Sequence, residues 1–204
     1  MSDDWEAQKQ ELIAAREESL FFFSNENKLE REKYVVRDLL EACNVSFSEN
    51  ELLDADEPAD VQFENCRFQV KEIMNKGRRR YDELKESLER AKNASSWDDL
   101  LEPYTPRDLE VTEIVRLTCE RAKELETRKY GPRELANLDL LCYCNFNDVC
   151  EIESNCGLLE TSLFRSISVV SNRYRMVIYA SENAPQFLKN NVGSLKEKAD
   201  AAGV

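Results

Sequence analysis

The sequence predicts an α/β fold in which helices flank a mixed sheet. Three observations lead to this class: helical spacing of apolar residues over 27–43, strand alternation around a turn at 58–73, and an almost unbroken apolar run at 138–146. An apolar strand of that kind is typically buried on both faces of a sheet. The 204 residues are enough for one well-buried core, so we predict a single domain over 1–204.

The first half of the chain alternates helices with short strands. In order, the sequence predicts a helix over 5–22, a helix over 27–43, a short strand within 44–52, a hairpin at 58–73 and a helix over 79–94. The helix over 27–43 is the best defined, because Val36, Leu39 and Leu40 share one face at helical spacing. The N-terminal helix, within 1–24, is expected to pack outside the core.

The second half begins with a marked helix start. Thr105 is a suitable N-cap and Pro106 suits the first helical position, while Gly131–Pro132 ends the helix. After it, the sequence predicts a buried strand over 138–146, strands within 165–171 and 175–180 that form a hairpin, a short helix over 184–191 and a frayed tail over 194–204.

Composition predicts a cytoplasmic protein. No apolar run approaches the roughly 20 residues of a membrane span, and the start MSDDWEAQKQ is acidic where a signal peptide is basic. Seven cysteines without a secretion signal favour reduced thiols. We therefore expect no membrane partner. The formal net charge of −13 disfavours strong binding to bare duplex DNA, which draws on many lysine and arginine contacts.

Two absences restrict the possible chemistry. The chain has no histidine, which excludes Ser-His-Asp and Cys-His catalysis, HExxH metalloproteases and histidine-ligated zinc deaminases. Its five glycines stand far apart, so neither a Walker loop nor a GxGxxG turn can form, and we expect no nucleotide cofactor of those types. An enzyme of this composition would use carboxylates, lysine, arginine, cysteine or a hard metal ion held by oxygens.

The hairpin PADVQFENCRFQVKEI, residues 58–73, carries the strongest candidate site. A two-residue turn at Glu64–Asn65 would give one apolar face and one polar face. On the polar face, Asp60 lies opposite Gln69, and strand alternation places Lys71 diagonally beside Asp60. The same alternation occurs in any half-exposed hairpin, so a merely solvated sheet face stays an open alternative.

Two neighbouring features favour a site. Glu32 lies one helical turn before Val36 on the buried stripe, so its carboxylate is expected where the helix meets the sheet. The basic segment after the hairpin reverses the acidic balance locally and is a candidate for contacting nucleic-acid phosphates. Its cations are Lys76, Arg78, Arg79 and Arg80. Exposed arginines at the start of a helix are an equally good explanation of that segment.

These motifs occur in the order of a known nuclease fold. A helix with a glutamate, a strand with PAD, a strand with QVK and a later buried strand resemble the restriction-endonuclease-like fold and its PD-(D/E)XK motif. The runs EREKYVVRDLLEACNVSF, EPADVQFENCRFQVKEIMNKGRRRYDE, LDLL and FRSISVV…APQFL resemble a bacterial family of uncharacterised candidate endonucleases assigned that fold. The similarity covers most of the chain. It implies a mixed sheet core in αβββαβ order, flanked by helices, with an extra C-terminal β-hairpin.

The resemblance implies a role for each candidate residue. Asp60 would be the main Mg²⁺ ligand, Glu32 a direct or water-mediated one, and Lys71 the group beside the attacking water and the developing phosphorane charge. Gln69 departs from the pattern, which has Asp or Glu there. An amide oxygen can bind Mg²⁺ but adds no charge, so we expect weaker metal binding.

Two functions follow from these assignments. The first is a Mg²⁺-dependent endonuclease or phosphodiesterase that acts on DNA. The second is a catalytically degenerate member of the same fold that binds nucleic acid or a protein partner, since fold does not imply activity. The sequence leaves a homodimer open in either case.

Four cysteines offer a competing metal site. Cys142, Cys144, Cys150 and Cys156 could form a Cys₄ zinc site. The usual C-x₂-C spacing is missing, however, and Cys142 and Cys144 alternate within an apolar strand, where free cysteine behaves as a small hydrophobic residue. We therefore predict that these thiols pack in the core and do not bind a metal.

Overall fold

The computed structural model describes residues 2–74, 79–101, 109–128, 130–144, 150–151 and 159–198. The chain gathers into two compact units, one formed by Met1–Arg31 with Asn75–Thr105 and the other by Glu32–Met74 with Pro106–Val204. Compact units of this kind do not by themselves define independently folding domains. The single domain expected from the sequence therefore stays a prediction.

Helices and strands are mixed along the chain, as the predicted α/β class requires. The helices are α1 Ser2–Phe22, α2 Lys28–Ala42, α3 Arg80–Asn93, α4 Val111–Arg128, α5 Pro132–Leu135 and α6 Gln186–Asn190. The strands are β1 Leu53–Asp54, β2 Val61–Phe63, β3 Cys66–Ile73, β4 Leu109–Glu110, β5 Asp139–Cys144, β6 Cys150–Glu151, β7 Ser166–Ser171, β8 Tyr174–Ala180 and β9 Lys196–Glu197. No described helix is long and apolar enough to cross a membrane.

Two predictions from the sequence are wrong, one about the type of an element and one about where a helix begins. The segment 44–52 holds a 3₁₀ turn at Glu49–Glu51 where a strand was expected. The Glu51 carboxylate accepts hydrogen bonds from the backbone N–H and hydroxyl of Ser48, at 2.6 and 3.0 Å, and so closes the turn. The helix expected from Pro106 begins at Val111, because the preceding β4 is extended and pairs in parallel with β6. Thr105 and Pro106 themselves lie outside the described residues.

The first unit is built on α1 and α3. Trp5 meets Trp97 edge to face, with ring centroids 4.8 Å apart. The Lys9 ammonium donates to the carbonyl of Ala94 at 2.6 Å, so α1 is held to the end of α3 by polar as well as aromatic contacts. Together these contacts explain why an acidic, weakly amphipathic N-terminal helix is ordered.

The second unit contains the sheet. Its described strands follow the order β1-β2-β3-β5-β7-β8-β9, in which β3, β5 and β7 run parallel and the outer pairs run antiparallel. Val61 pairs with Phe68 and Phe63 with Cys66, which confirms the predicted hairpin register. Glu64 makes the turn with a φ of 49°, in the left-handed region.

The C-terminal hairpin is confirmed, but it is not an appendage. β7 and β8 pair antiparallel as predicted, and β7 also pairs along its whole length in parallel with β5. The hairpin therefore extends the central sheet. Lys196–Glu197, within the tail expected to be frayed, pair with β8 as a short edge strand.

Each face of the sheet is covered by a different helix. Cys142 and Cys144 of β5 belong to the apolar cluster that contains α4, which confirms that these thiols pack in the core. Asp38 of α2 pairs with Arg175, whose neighbours along β8 point into the α4 cluster. Since side chains alternate along a strand, α2 covers the opposite face. The strand β5 is thus buried on both faces, as predicted.

A buried ion pair joins the start of β5 to the start of β7 and to the hairpin turn. Asp139 is 0% exposed and accepts from the Arg165 guanidinium, including Nε at 3.0 Å. It also accepts from the Ser166 hydroxyl at 2.7 Å and from the backbone N–H of Arg67 at 3.1 Å. Arg165 in turn donates to the carbonyl of Asn65 at 3.0 Å. Every strand of the parallel core therefore meets this pair.

We expect Arg165→Ala to lower the free energy of unfolding by about 3–5 kcal/mol, because it leaves the Asp139 carboxylate buried without its partner. The matched control is Arg173→Ala, which breaks an ion pair with Glu197 whose side chains are both about half exposed. Arg173→Ala should lower the free energy of unfolding by less than about 1 kcal/mol. Urea unfolding followed by circular dichroism measures both; equal losses for the two variants would contradict the prediction.

Candidate functional site

The structure brings Asp60, Gln69 and Lys71 together on one face of the hairpin. The Lys71 ammonium lies 3.2 Å from Oδ2 of Asp60, and both side chains are mostly buried. The same oxygen accepts from the backbone N–H of Val70 at 2.9 Å, and the backbone N–H of Asp60 donates to the Phe68 carbonyl at 2.7 Å. Asp60 is therefore fixed to β3 by its backbone and its side chain.

Gln69 is held by its amide nitrogen. Nε2 donates to the carbonyl of Pro58 at 2.8 Å and to the hydroxyl of Tyr130 at 2.7 Å, which uses both amide hydrogens. The residue is 1% exposed, and its Oε1 is buried with no hydrogen-bond partner among the described residues. Leaving a buried acceptor unsatisfied costs on the order of 1–3 kcal/mol, which marks this oxygen as a candidate ligand-binding group.

A second cation lies on the same face of the sheet. Lys71 pairs in register with Cys142 of β5. Burial raises the pKa of the Cys142 thiol to about 12, and the positive charges of Arg121 and Lys71 oppose that rise in part. Arg121 binds Glu124 through Nη1 at 2.7 Å, and its Nε is buried with no partner in the part of the chain described.

Glu32 occupies the position expected from its place on the apolar stripe of α2. The residue is 8% exposed and thus lies on the buried side of its helix. Because α2 covers the sheet face opposite Lys71, Glu32 approaches from a different layer than α4 does. Its participation in the same site as Asp60 stays a prediction.

The basic segment is only partly described. Lys76 and Arg78 lie outside the described residues. The Arg79 side chain is 85% exposed, with Asp82 at 3.9 Å, and the guanidinium of Arg80 stacks over Phe23 with its central carbon 4.4 Å from the ring centroid. Arg79 thus keeps a solvated charge, while Arg80 is engaged inside the first unit. Phosphate binding by this segment stays a prediction.

Three polar groups on the side of the sheet that carries Gln69 and Lys71 were not found from the sequence: the Tyr130 hydroxyl, the Arg121 guanidinium and the Pro58 carbonyl. Tyr130 reaches Gln69, and Arg121 reaches this side of the sheet, through folding that brings β5 and α4 against β3, and neither belongs to a local motif. A weak signal existed for Arg121, which directly precedes Ala122 at the border of the apolar stripe of α4. No pattern in the sequence indicated Tyr130.

A family model matches residues 6–200 and carries the description "Putative endonuclease, protein of unknown function (DUF1780)". The chain belongs to this family. The DUF1780 description is consistent with a nuclease role, and it specifies neither a metal nor a substrate.

One solved structure shows the same overall fold as this DUF1780 member. It is a protein of unknown function from Pseudomonas aeruginosa strain PAO1, described as a member of the monooxygenase superfamily. The two chains are 20% identical, the match covers 97% of this chain and 98% of the other, and the TM-score is 0.61. At this identity the likeness concerns the fold alone. No curated protein is significantly similar to the chain.

The cysteines do not assemble a metal site within the described residues. No three histidine, cysteine, aspartate or glutamate side chains in that part of the chain are grouped to hold a metal ion. Cys142 and Cys144 are buried free thiols, whereas Cys156 and the side chain of Cys150 lie outside the description.

We expect purified protein to contain no stoichiometric zinc, and Cys142→Ala to leave its metal content unchanged. Elemental analysis by mass spectrometry of protein prepared without chelator provides the measurement. One zinc per chain that disappears in Cys142→Ala would show that the four cysteines do converge.

Proposed function

We propose that this protein is a Mg²⁺-dependent endonuclease of the restriction-endonuclease-like fold that cleaves phosphodiester bonds in DNA. The observation that carries the proposal is the Asp60–Lys71 ion pair on the hairpin face that also carries Gln69, whose buried Oε1 has no described partner. The description of the DUF1780 family supports the reaction class.

The order of elements in the second unit also supports this fold. From α2 through β1, β2 and β3 to α4 and β5, the chain contains the αβββαβ series of the resemblance, with the short elements β4 and α5 inserted before and after α4. The hairpin with the candidate residues precedes α4, and β5 lies next to β3 in the sheet. The helix α3, which belongs to the first unit, is an addition to that order.

The donor atoms fit a hard divalent cation. Mg²⁺ prefers oxygen ligands and is usually held by one or two carboxylates while keeping several waters. Asp60 would supply a carboxylate oxygen and Gln69 would supply Oε1, whereas Glu32, whose helix covers the opposite sheet face, is not assigned a direct bond to the cation. Mg²⁺ bound there would polarise a phosphoryl oxygen and make a bound water more acidic.

Two cations, Lys71 and Arg121, would stabilise the negative charge of the phosphate. The Lys71 ammonium, fixed on Asp60, is available to the negative charge that develops as water attacks phosphorus. Arg121 has a buried Nε without a described partner and would position a nonbridging phosphate oxygen. Both cations face a single sheet surface, so they would act on one phosphodiester rather than along an extended duplex.

We expect Mn²⁺, used as a Mg²⁺ substitute, to bind the wild-type protein, and we expect Asp60→Asn to weaken the binding at least tenfold, or about 1.4 kcal/mol. Asparagine keeps an acceptor for the Val70 N–H but removes the charge, so the fold should be retained. The control is Asp54→Asn, an exposed carboxylate on β1. Isothermal titration calorimetry measures all three; negligible heats for the wild type would favour the non-catalytic binding module.

A separate expectation concerns Lys71. Lys71→Ala should abolish nicking of supercoiled or branched DNA while Mn²⁺ binding stays within about threefold of wild type, because the ammonium serves the transition state. Lys85→Ala, an exposed lysine of α3, is the control. Gel assays of nicking read out the activity, and a Lys71→Ala variant as active as the control would exclude the assigned role.

A further inference from the structure

We infer that Tyr130 is a positioning residue that, together with the Pro58 carbonyl, turns the Gln69 amide so that its oxygen serves the cation. The inference rests on the proposed function, because it assigns a purpose to the orientation of Oε1. It goes beyond the nuclease motif, which contains neither Tyr130 nor a requirement for an amide at position 69.

The geometry leaves one orientation for the amide. Two acceptors, the Pro58 carbonyl at 2.8 Å and the Tyr130 hydroxyl at 2.7 Å, take the two Nε2 hydrogens. Rotating the amide by half a turn would place Oε1 against the Pro58 carbonyl, an acceptor facing an acceptor. Since Gln69 is 1% exposed, no solvent relieves that repulsion, and the carbonyl oxygen of the amide is kept on the other side.

The same geometry explains why the residue is Gln and not Glu. A carboxylate has no hydrogen for the Pro58 carbonyl, so one of its oxygens would be pressed against that carbonyl. It would also add a second buried negative charge near Asp60. The departure from the acidic residue of the nuclease pattern is therefore matched by surroundings that require a donor, which indicates a site built for an amide ligand.

Tyr130 is suited to hold a fixed position. Its ring packs against the apolar cluster under α4, and it follows the end of that helix. The cluster fixes the ring, and the ring fixes the hydroxyl at hydrogen-bond distance from Nε2. The residue thus acts through Gln69 and is not itself assigned a contact with substrate or metal.

The first test is Tyr130→Phe, which removes the hydroxyl and keeps the ring. Losing one of the two acceptors should weaken Mn²⁺ binding about fivefold to tenfold in calorimetry. Tyr81→Phe, an exposed tyrosine of α3, is the matched control and should bind as wild type does. Metal binding that is unchanged in Tyr130→Phe would overturn the inference and leave the proposed function standing.

A double-mutant cycle separates positioning from a general structural effect. In a Gln69→Ala background, Tyr130→Phe should change the Mn²⁺ dissociation constant less than twofold, because its effect passes through the amide. Paramagnetic broadening of NMR signals by Mn²⁺ extends the measurement to weak binding. The same several-fold loss in both backgrounds would refute the positioning role. Absence of Mn²⁺ binding by the wild-type protein would instead refute the metal site itself.

The requirement for an amide is tested without metal. Gln69→Glu should lower the Tm of the metal-free protein at pH 8 relative to wild type. A carboxylate at this position is buried and has no hydrogen to donate to the Pro58 carbonyl, so the substitution should cost stability. A metal-free Gln69→Glu variant as stable as wild type at pH 8 would overturn the claim that the surroundings demand a donor.

Discussion

The buried pair of Asp139 and Arg165 is the constraint on which the arrangement of the second unit depends. An unpaired charge with 0% exposure is not tolerated, so the start of β5, the residue before β7 and the turn between β2 and β3 must all meet at this point. Because Asp139 accepts from the backbone of Arg67, the hairpin cannot slip along β5 without breaking that contact. A slip of one residue would also turn Gln69 and Lys71 to the opposite face.

The buried pair of Asp139 and Arg165 and the candidate site contact different points of the same strand, β3. Arg67, which donates to Asp139, begins the run of β3 that leads to Gln69 and Lys71. The parallel pairing between β3 and β5 therefore fixes the position of Gln69 and Lys71 relative to the buried pair of Asp139 and Arg165. This is how a chain with few glycines and no nucleotide-binding loop can hold a small polar constellation in register: the precision comes from sheet pairing, not from a loop.

The local sequence pattern predicted some elements of the fold and missed others, and there is a physical reason in each case. Alternation and a two-residue turn predicted the register of Val61 with Phe68, because both depend on neighbours in sequence. The start of α4 was misplaced, since pairing between β4 and β6 overrides the good capping residues before it. The partners of Gln69 and Asp139 could not be predicted, because Tyr130 and Arg165 reach them only through long-range packing.

A neutral ligand changes the balance of charge that a phosphodiester would meet. With an acid in place of Gln69, the Lys71 ammonium would meet two carboxylates on its face of the hairpin; with the amide, its carboxylate partner there is Asp60. In a protein of net charge −13, that difference favours an approaching anion even though it weakens the hold on a cation. If Gln69 binds the cation as proposed, it would exchange part of the metal affinity for a less repulsive site, which would suit a metal that is held fully only when a phosphate oxygen completes its ligand set.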